Sequence, residues 1–188
     1  IFRENHMPTI YTVNPATEET CGRYPLMNQK EVETIIHKMH SVQQSWSHSK
    51  LSERQQYLAN LARLLMENKS EYAALITQEM GKPITQALSE IEKCTRLCEY
   101  YAEFGAKFLE PELIQTEFYK SYRTFEALGT IFAIMPWNFP FWQVMRFAVP
   151  NLMLGNGALL KHAPNSTGTA LLIEQVLLKA GFPKGLFR

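Results

Sequence analysis

Two short apolar runs, "TIFAIM" at 130–135 and "ALLK" at 158–161, constrain this chain more than any other feature. Each has the length and texture of a strand buried on both faces, and each is followed by a helical pattern, at 140–154 and at 166–180. The second helix is closed by Gly181 and Pro183. Strand, helix, strand, helix predicts an α/β fold built on a doubly wound parallel sheet. "GLFR" at 185–188 reads as the start of a third parallel strand. Two parallel strands with helices on one face do not complete a domain, so the expectation is a front part of something longer, or a fold completed by another chain.

Upstream the texture is helical. Residues 9–13 are β-rich and lead into the turn "NPATEE", which predicts a short strand. Asn28 with Glu31 makes a capping-box start for a first helix, with Val32, Ile35, Ile36 and Met39 at helical spacing. Ser52 opens a second helix with Leu58, Leu61 and Leu65 on its buried side, and Ser70 opens a third ending near Gly81. Pro83 suits the first turn of a fourth that runs to about Phe108. The alternation in "LIQTEFYKSYR", 113–123, predicts one or two edge strands.

Composition removes several classes of function. With 188 residues, 46% of them hydrophobic, the chain can bury a core, and a net charge of +1 with interspersed signs offers no basic stripe for nucleic acid. The most apolar region, 139–160, is interrupted by Arg146, Pro150, Asn151 and the Gly-Asn-Gly turn and does not read as a membrane span. The opening "IFRENHMPTIYTVNP" lacks a signal-peptide layout, and three cysteines without metal-site spacing suit a reducing cytoplasm. Cys94 and Cys98 read as packed thiols, His37 and His40 as a solvated edge, so no metal site is expected. Glu79, Lys82 and Glu90 receive no chemical role from the sequence alone.

"PWNFP", then "GNGALLKHAPNSTG" and "AGFPKG", with "VNPATEE" near the start and "EMGKP" between, resemble the aldehyde dehydrogenase superfamily, and within it the succinate-semialdehyde dehydrogenases. The resemblance runs from about Tyr11 to the end. It implies an aldehyde dehydrogenase-like fold whose Rossmann-like sheet is incomplete here: 1–112 a helical part of the cofactor-binding domain, 113–126 an oligomerisation ribbon, 127–188 the first half of the nucleotide-binding sheet. It also implies oxidation of an aldehyde to a carboxylate with NAD or NADP through a cysteine thiohemiacetal, in a homodimer or homotetramer. The nucleophile, the general base and the catalytic domain would lie beyond Arg188, leaving this stretch alone inactive.

By the resemblance, Asn138 supplies its side-chain NH2 to the substrate oxyanion; without the motif it reads as an N-cap. Arg146 would bind the far carboxylate of a short semialdehyde, with Phe139 and Gln143 bordering the same helix face; its alternatives are a structural salt bridge to an acid beyond this stretch or an exposed, snorkelling side chain. If 138–146 were helical throughout, the rise would be about 12 Å. The loop after the first sheet strand, Ile134, Met135, Pro136 and Trp137, lies where doubly wound sheets bind nucleotides. Lys161 resembles the family lysine at the adenosine ribose, though a solvated strand-end lysine reads the same way. Ala163 and Pro164 follow it, with Pro164 where NAD-preferring members often carry glutamate, and Ser166 with the next helix start offers a place for a phosphate. Another aldehyde substrate, or a non-catalytic nucleotide-binding or oligomerising module, stay open as alternatives.

Overall fold

The structure, a computed structural model, describes residues 8–188. The first seven residues of the opening stretch and of the 1–112 segment lie outside the described residues. An N-terminal antiparallel hairpin, β1 (Thr9–Val13) and β2 (Thr20–Pro25), precedes four helices: α1 (Gln29–Ser47), α2 (Leu51–Glu67), α3 (Lys69–Met80) and α4 (Ile84–Phe108). The second strand escaped the sequence reading because "TCGRYP" has little apolar alternation and ends in proline.

The capping box forms as expected. Asn28 Oδ1 accepts the Glu31 N–H at 3.0 Å and Glu31 Oε2 accepts the Asn28 N–H at 2.8 Å. Deeper burial along α1 goes to Met39, Gln43 and Trp46, however, while Val32 and Ile36 stay exposed. On α2 the face carrying Leu58, Leu61 and Leu65 is wholly buried, and α3 ends at Gly81, whose φ of 74° is the left-handed cap that glycine adopts without strain. Cys94 and Cys98 pack in the core as expected, and burial raises both thiols above their ordinary range.

A two-stranded ribbon, β3 (Glu112–Ile114) and β4 (Ser121–Arg123), stands out from this layer with Leu113, Phe118 and Tyr122 exposed. Then come β5 (Thr130–Ile134), α5 (Trp142–Leu154), β6 (Gly157–Lys161), a 3-10 turn at Pro164–Ser166 and α6 (Thr167–Ala180). Strands β5 and β6 pair in parallel, Thr130 with Gly157 through Ile134 with Lys161. Phe187 makes a parallel bridge to Ala158, so a third parallel strand does begin where "GLFR" placed it. The register puts Phe132, Ile134, Leu159 and Lys161 on one face and Ala133 with Ala158 on the other. The alanine face is buried; Phe132 and Ile134 are open, Ile134 to 72%.

Helix α5 starts at Trp142 and not at Pro140. Residues 137–139 form bends and 140–141 a turn, and the first ladder bonds reach back from Gln143 N–H to Phe139 O and from Met145 N–H to Phe141 O. Inside the helix Pro150 has no N–H to offer the Arg146 carbonyl.

Candidate functional site

A helix start needs acceptors for its orphan N–H groups, and the two sheet-flanking helices obtain theirs from buried glutamates on the helical layer. Glu90 of α4, 4% exposed, accepts the N–H groups of Phe141 and Trp142 through Oε1, each at 2.9 Å, and pairs through Oε2 with the buried Lys82 ammonium. Glu79 of α3, 2% exposed, accepts the Gly168 and Thr169 N–H groups at 2.7 Å each, and the Thr169 hydroxyl at 2.8 Å. A Cβ at position 168 would stand 2.7 Å from Glu79 Oε1, so glycine is what allows the carboxylate this close. Both glutamates sit within the apolar faces of their helices, beside Ile76 and beside Ala87 and Ile91, and that misfit was the sequence signal for them.

The capping reading of Asn138 is thereby excluded. The helix starts beyond it and is capped by Glu90; Asn138 is exposed, and its amide has no hydrogen-bond partner among the described residues. Phe139, half exposed, lies under the Lys82 ammonium at 3.8 Å from ring centroid to Nζ. Gln143 is half-buried on the first turn of α5. Arg146 is exposed and its guanidinium has neither an acid nor another partner among the described residues. On the same helix face, one turn earlier, Trp142 carries the Lys93 ammonium 3.8 Å above its ring, which adds positive charge to that side. Because only the part from Trp142 is helical, the rise from there to Arg146 is about 6 Å, and the 12 Å expected for a continuous helix from Asn138 does not apply.

The cofactor candidates converge on the carboxyl edge of β5 and β6. Ile134 and Lys161 are register partners, and Met135 donates its N–H to Lys161 O at 3.0 Å. Pro136 and Trp137 are exposed beyond them, Ala163 is half-buried, and exposed Pro164 opens the 3-10 turn. Lys161 is exposed and donates to the His162 carbonyl. The edge thus joins an open apolar strip, Phe132 and Ile134, to an exposed ammonium held by a neighbouring carbonyl. The start of α6 does not suit a phosphate: its N–H groups at 168 and 169 are taken by Glu79, and Ser166 is buried with its hydroxyl on Ala163 O.

His162 was missed in the sequence. Thr167 Oγ1 gives its single proton to Pro164 O at 2.8 Å, so His162 Nε2, 2.9 Å from that oxygen, must be the donor. Burial, then the neighbouring Lys161 charge, holds the imidazole below its ordinary pKa. A lowered histidine stabilises the fold fully above about pH 6.5 and loses that contribution as pH falls through the folded value. His162→Gln should therefore flatten the acid-side decline in thermal midpoint between about pH 7.5 and 5.5; an unchanged decline would remove His162 as its source.

The sequence profile of the aldehyde dehydrogenase family matches residues 2–188. A probable NADP(+) succinate-semialdehyde dehydrogenase of Synechocystis sp. is 43% identical over 179 residues, covering 95% of this chain and 39% of that protein. The NAD(P)+ succinate semialdehyde dehydrogenase Sad of Escherichia coli is 42% identical over 176 residues, covering 94% and 38%. The crystal structure of the succinic semialdehyde dehydrogenase from Streptococcus pyogenes with NADP+ superposes with a TM-score of 0.91 at 31% identity, covering 95% of this chain and 39% of that one. The chain thus spans about 39% of the length of such relatives.

Proposed function

From its membership of the aldehyde dehydrogenase family, we propose that this chain is the front part of an enzyme oxidising succinate semialdehyde to succinate with NADP. The observation that carries the reading is a pair of unspent groups flanking the start of α5. The Asn138 amide and the Arg146 guanidinium are both exposed and unbonded among the described residues, while the ends of that helix are already satisfied by other side chains. The amide donates to the aldehyde oxygen as it gains charge, and the guanidinium holds the distant carboxylate, supported by Lys93 over Trp142. Gln143 and Phe139 border the space between.

The dinucleotide, when bound, accepts the hydride. Lys161 holds its ribose, Ile134 and the loop Met135, Pro136 and Trp137 take the nicotinamide half, and Ala163 with Pro164 line the adenosine side. The relatives above are named for NADP(+) or NAD(P)+. Pro164 puts no carboxylate against a 2′-phosphate, and Lys161 supplies the attraction that the start of α6 does not. The exposed ribbon β3–β4, with Leu113, Phe118 and Tyr122 outward, is the surface through which copies of the enzyme associate.

The test compares kcat/KM of the full-length enzyme for succinate semialdehyde and for butyraldehyde, before and after Arg146→Ala. The expected loss is about 10²-fold for the charged substrate, within the roughly 2–5 kcal/mol of an unpaired interfacial charge, and only a few-fold for butyraldehyde. Equal losses would assign Arg146 to structure and leave another aldehyde as substrate. Failure of the unmodified full-length protein to turn over either aldehyde would favour a non-catalytic module.

A further inference from the structure

We infer that the buried Lys82–Glu90 pair is a positioning device for Asn138, an inference that rests on Asn138 acting at the reacting carbonyl. Nothing in Asn138's own contacts fixes its amide, which is exposed and has no hydrogen-bond partner among the described residues. Its place is inherited from its neighbours. On one side, Met135 is tied to β6 by its N–H on Lys161 O at 3.0 Å. On the other, the ion pair grips the chain twice: the Lys82 ammonium sits 3.8 Å from the centre of the Phe139 ring, and Glu90 Oε1 takes the N–H groups of Phe141 and Trp142 at 2.9 Å each. Pro136 and Pro140 restrict φ between these anchors and Pro140 also restricts Phe139 before it, leaving Trp137 and Asn138 as the residues with ordinary backbone freedom.

The pair is also an unusual way merely to cap a helix. A local serine or asparagine is the usual acceptor at a helix start and buries no charge. Here the acceptor comes from a helix 51 residues earlier in the chain, is 4% exposed, and has a lysine 7% exposed as its counter-ion. Buried ion pairs of this kind add little net stability over apolar replacements, and the best-attested return for them is a defined geometry. A defined geometry is what an oxyanion donor requires, since a donor already in place does not reorganise during the reaction and a misplacement of about 1 Å can cost on the order of 10²-fold in rate.

The test is a coupling cycle in the full-length enzyme. Lys82→Met with Glu90→Gln keeps both stems and one acceptor oxygen while removing both charges together. Expected are a kcat at least about tenfold lower, with the dissociation constant for NADP and the KM for the aldehyde within about twofold. In an Asn138→Ala background the same double change should alter kcat less than about twofold, because the group it positions is gone. An unchanged kcat with Asn138 present, or an equal loss in both backgrounds, would overturn the inference while leaving Asn138 its role. If Asn138→Ala by itself left kcat intact, the reading of Asn138 would fall, and the positioning role with it. Should the double variant not fold, Lys82→Arg, which keeps the charge but changes its reach, goes through the same cycle with the same criteria.

Discussion

On the proposed reading, Asn138→Ala in the full-length enzyme is expected to lower kcat about 10²–10³-fold, equivalent to roughly 2.7–4 kcal/mol, with little change in NADP binding. The magnitude follows from where the amide stands. An exposed asparagine that capped a helix would cost about 1 kcal/mol of stability on truncation and nothing in chemistry. Here the cap is Glu90, so truncation removes no bond made within the described residues and the fold should barely respond. The measurement is kcat alongside thermal midpoint: a large kinetic loss at constant midpoint is expected, and a falling midpoint with intact kcat would return Asn138 to a structural role.

The second large effect is on stability. Arg54, 4% exposed, makes no direct salt bridge among the described residues; it donates from Nη2 to the carbonyls of Trp46, Ser47 and Ser49 at 3.0, 2.8 and 3.0 Å, and from Nη1 to Met153 O at 3.1 Å. Its counter-charge is the carbonyl ends of α1 and α5, where helix dipoles are negative. Burial lowers its pKa, yet an arginine remains protonated at neutral pH. Arg54→Leu removes the guanidinium donor from the Ser47, Ser49 and Met153 carbonyls, while Trp46 O keeps the Ser49 N–H and hydroxyl; at about 1–3 kcal/mol for each acceptor left unpaired, a loss of roughly 3 kcal/mol or more is expected on denaturation of the full-length protein. Arg54→Lys should recover only part, since an ammonium cannot span carbonyls from two helices. A loss under about 1 kcal/mol for Arg54→Leu would mean that water replaces the guanidinium.

The parts of the fold legible in the sequence were those decided locally. The capping box at Asn28 and Glu31, the glycine at the end of α3 and the proline at the start of α4 each act within a few residues, and the paired apolar runs imposed the parallel strands. Helix α5 began two residues later than expected because its start is decided by Glu90, far away in sequence. No periodicity reports such a bond. A carboxylate within an apolar face, as at Glu79 and Glu90, does show in the sequence, but only as a demand for a partner whose identity the fold supplies. At the candidate site, the motif is what singles out Asn138 and Lys161, whereas His162 stayed hidden because its tautomer depends on a hydroxyl whose proton is already committed to Pro164 O.

The opposite end of α5 is fastened as well: Trp46 Nε1 donates to Leu152 O at 2.9 Å, Gln43 Nε2 to Gly155 O at 3.0 Å, and Arg54 reaches Met153 O. A rod clamped at both tips can neither slide along its axis nor rotate to follow a guest. On the proposed reading it behaves as a fixed gauge, so an ω-oxo acid one methylene longer or shorter has to fold or strain itself to touch both marks. Selection by chain length would then reside in the clamps, among residues that never meet the substrate.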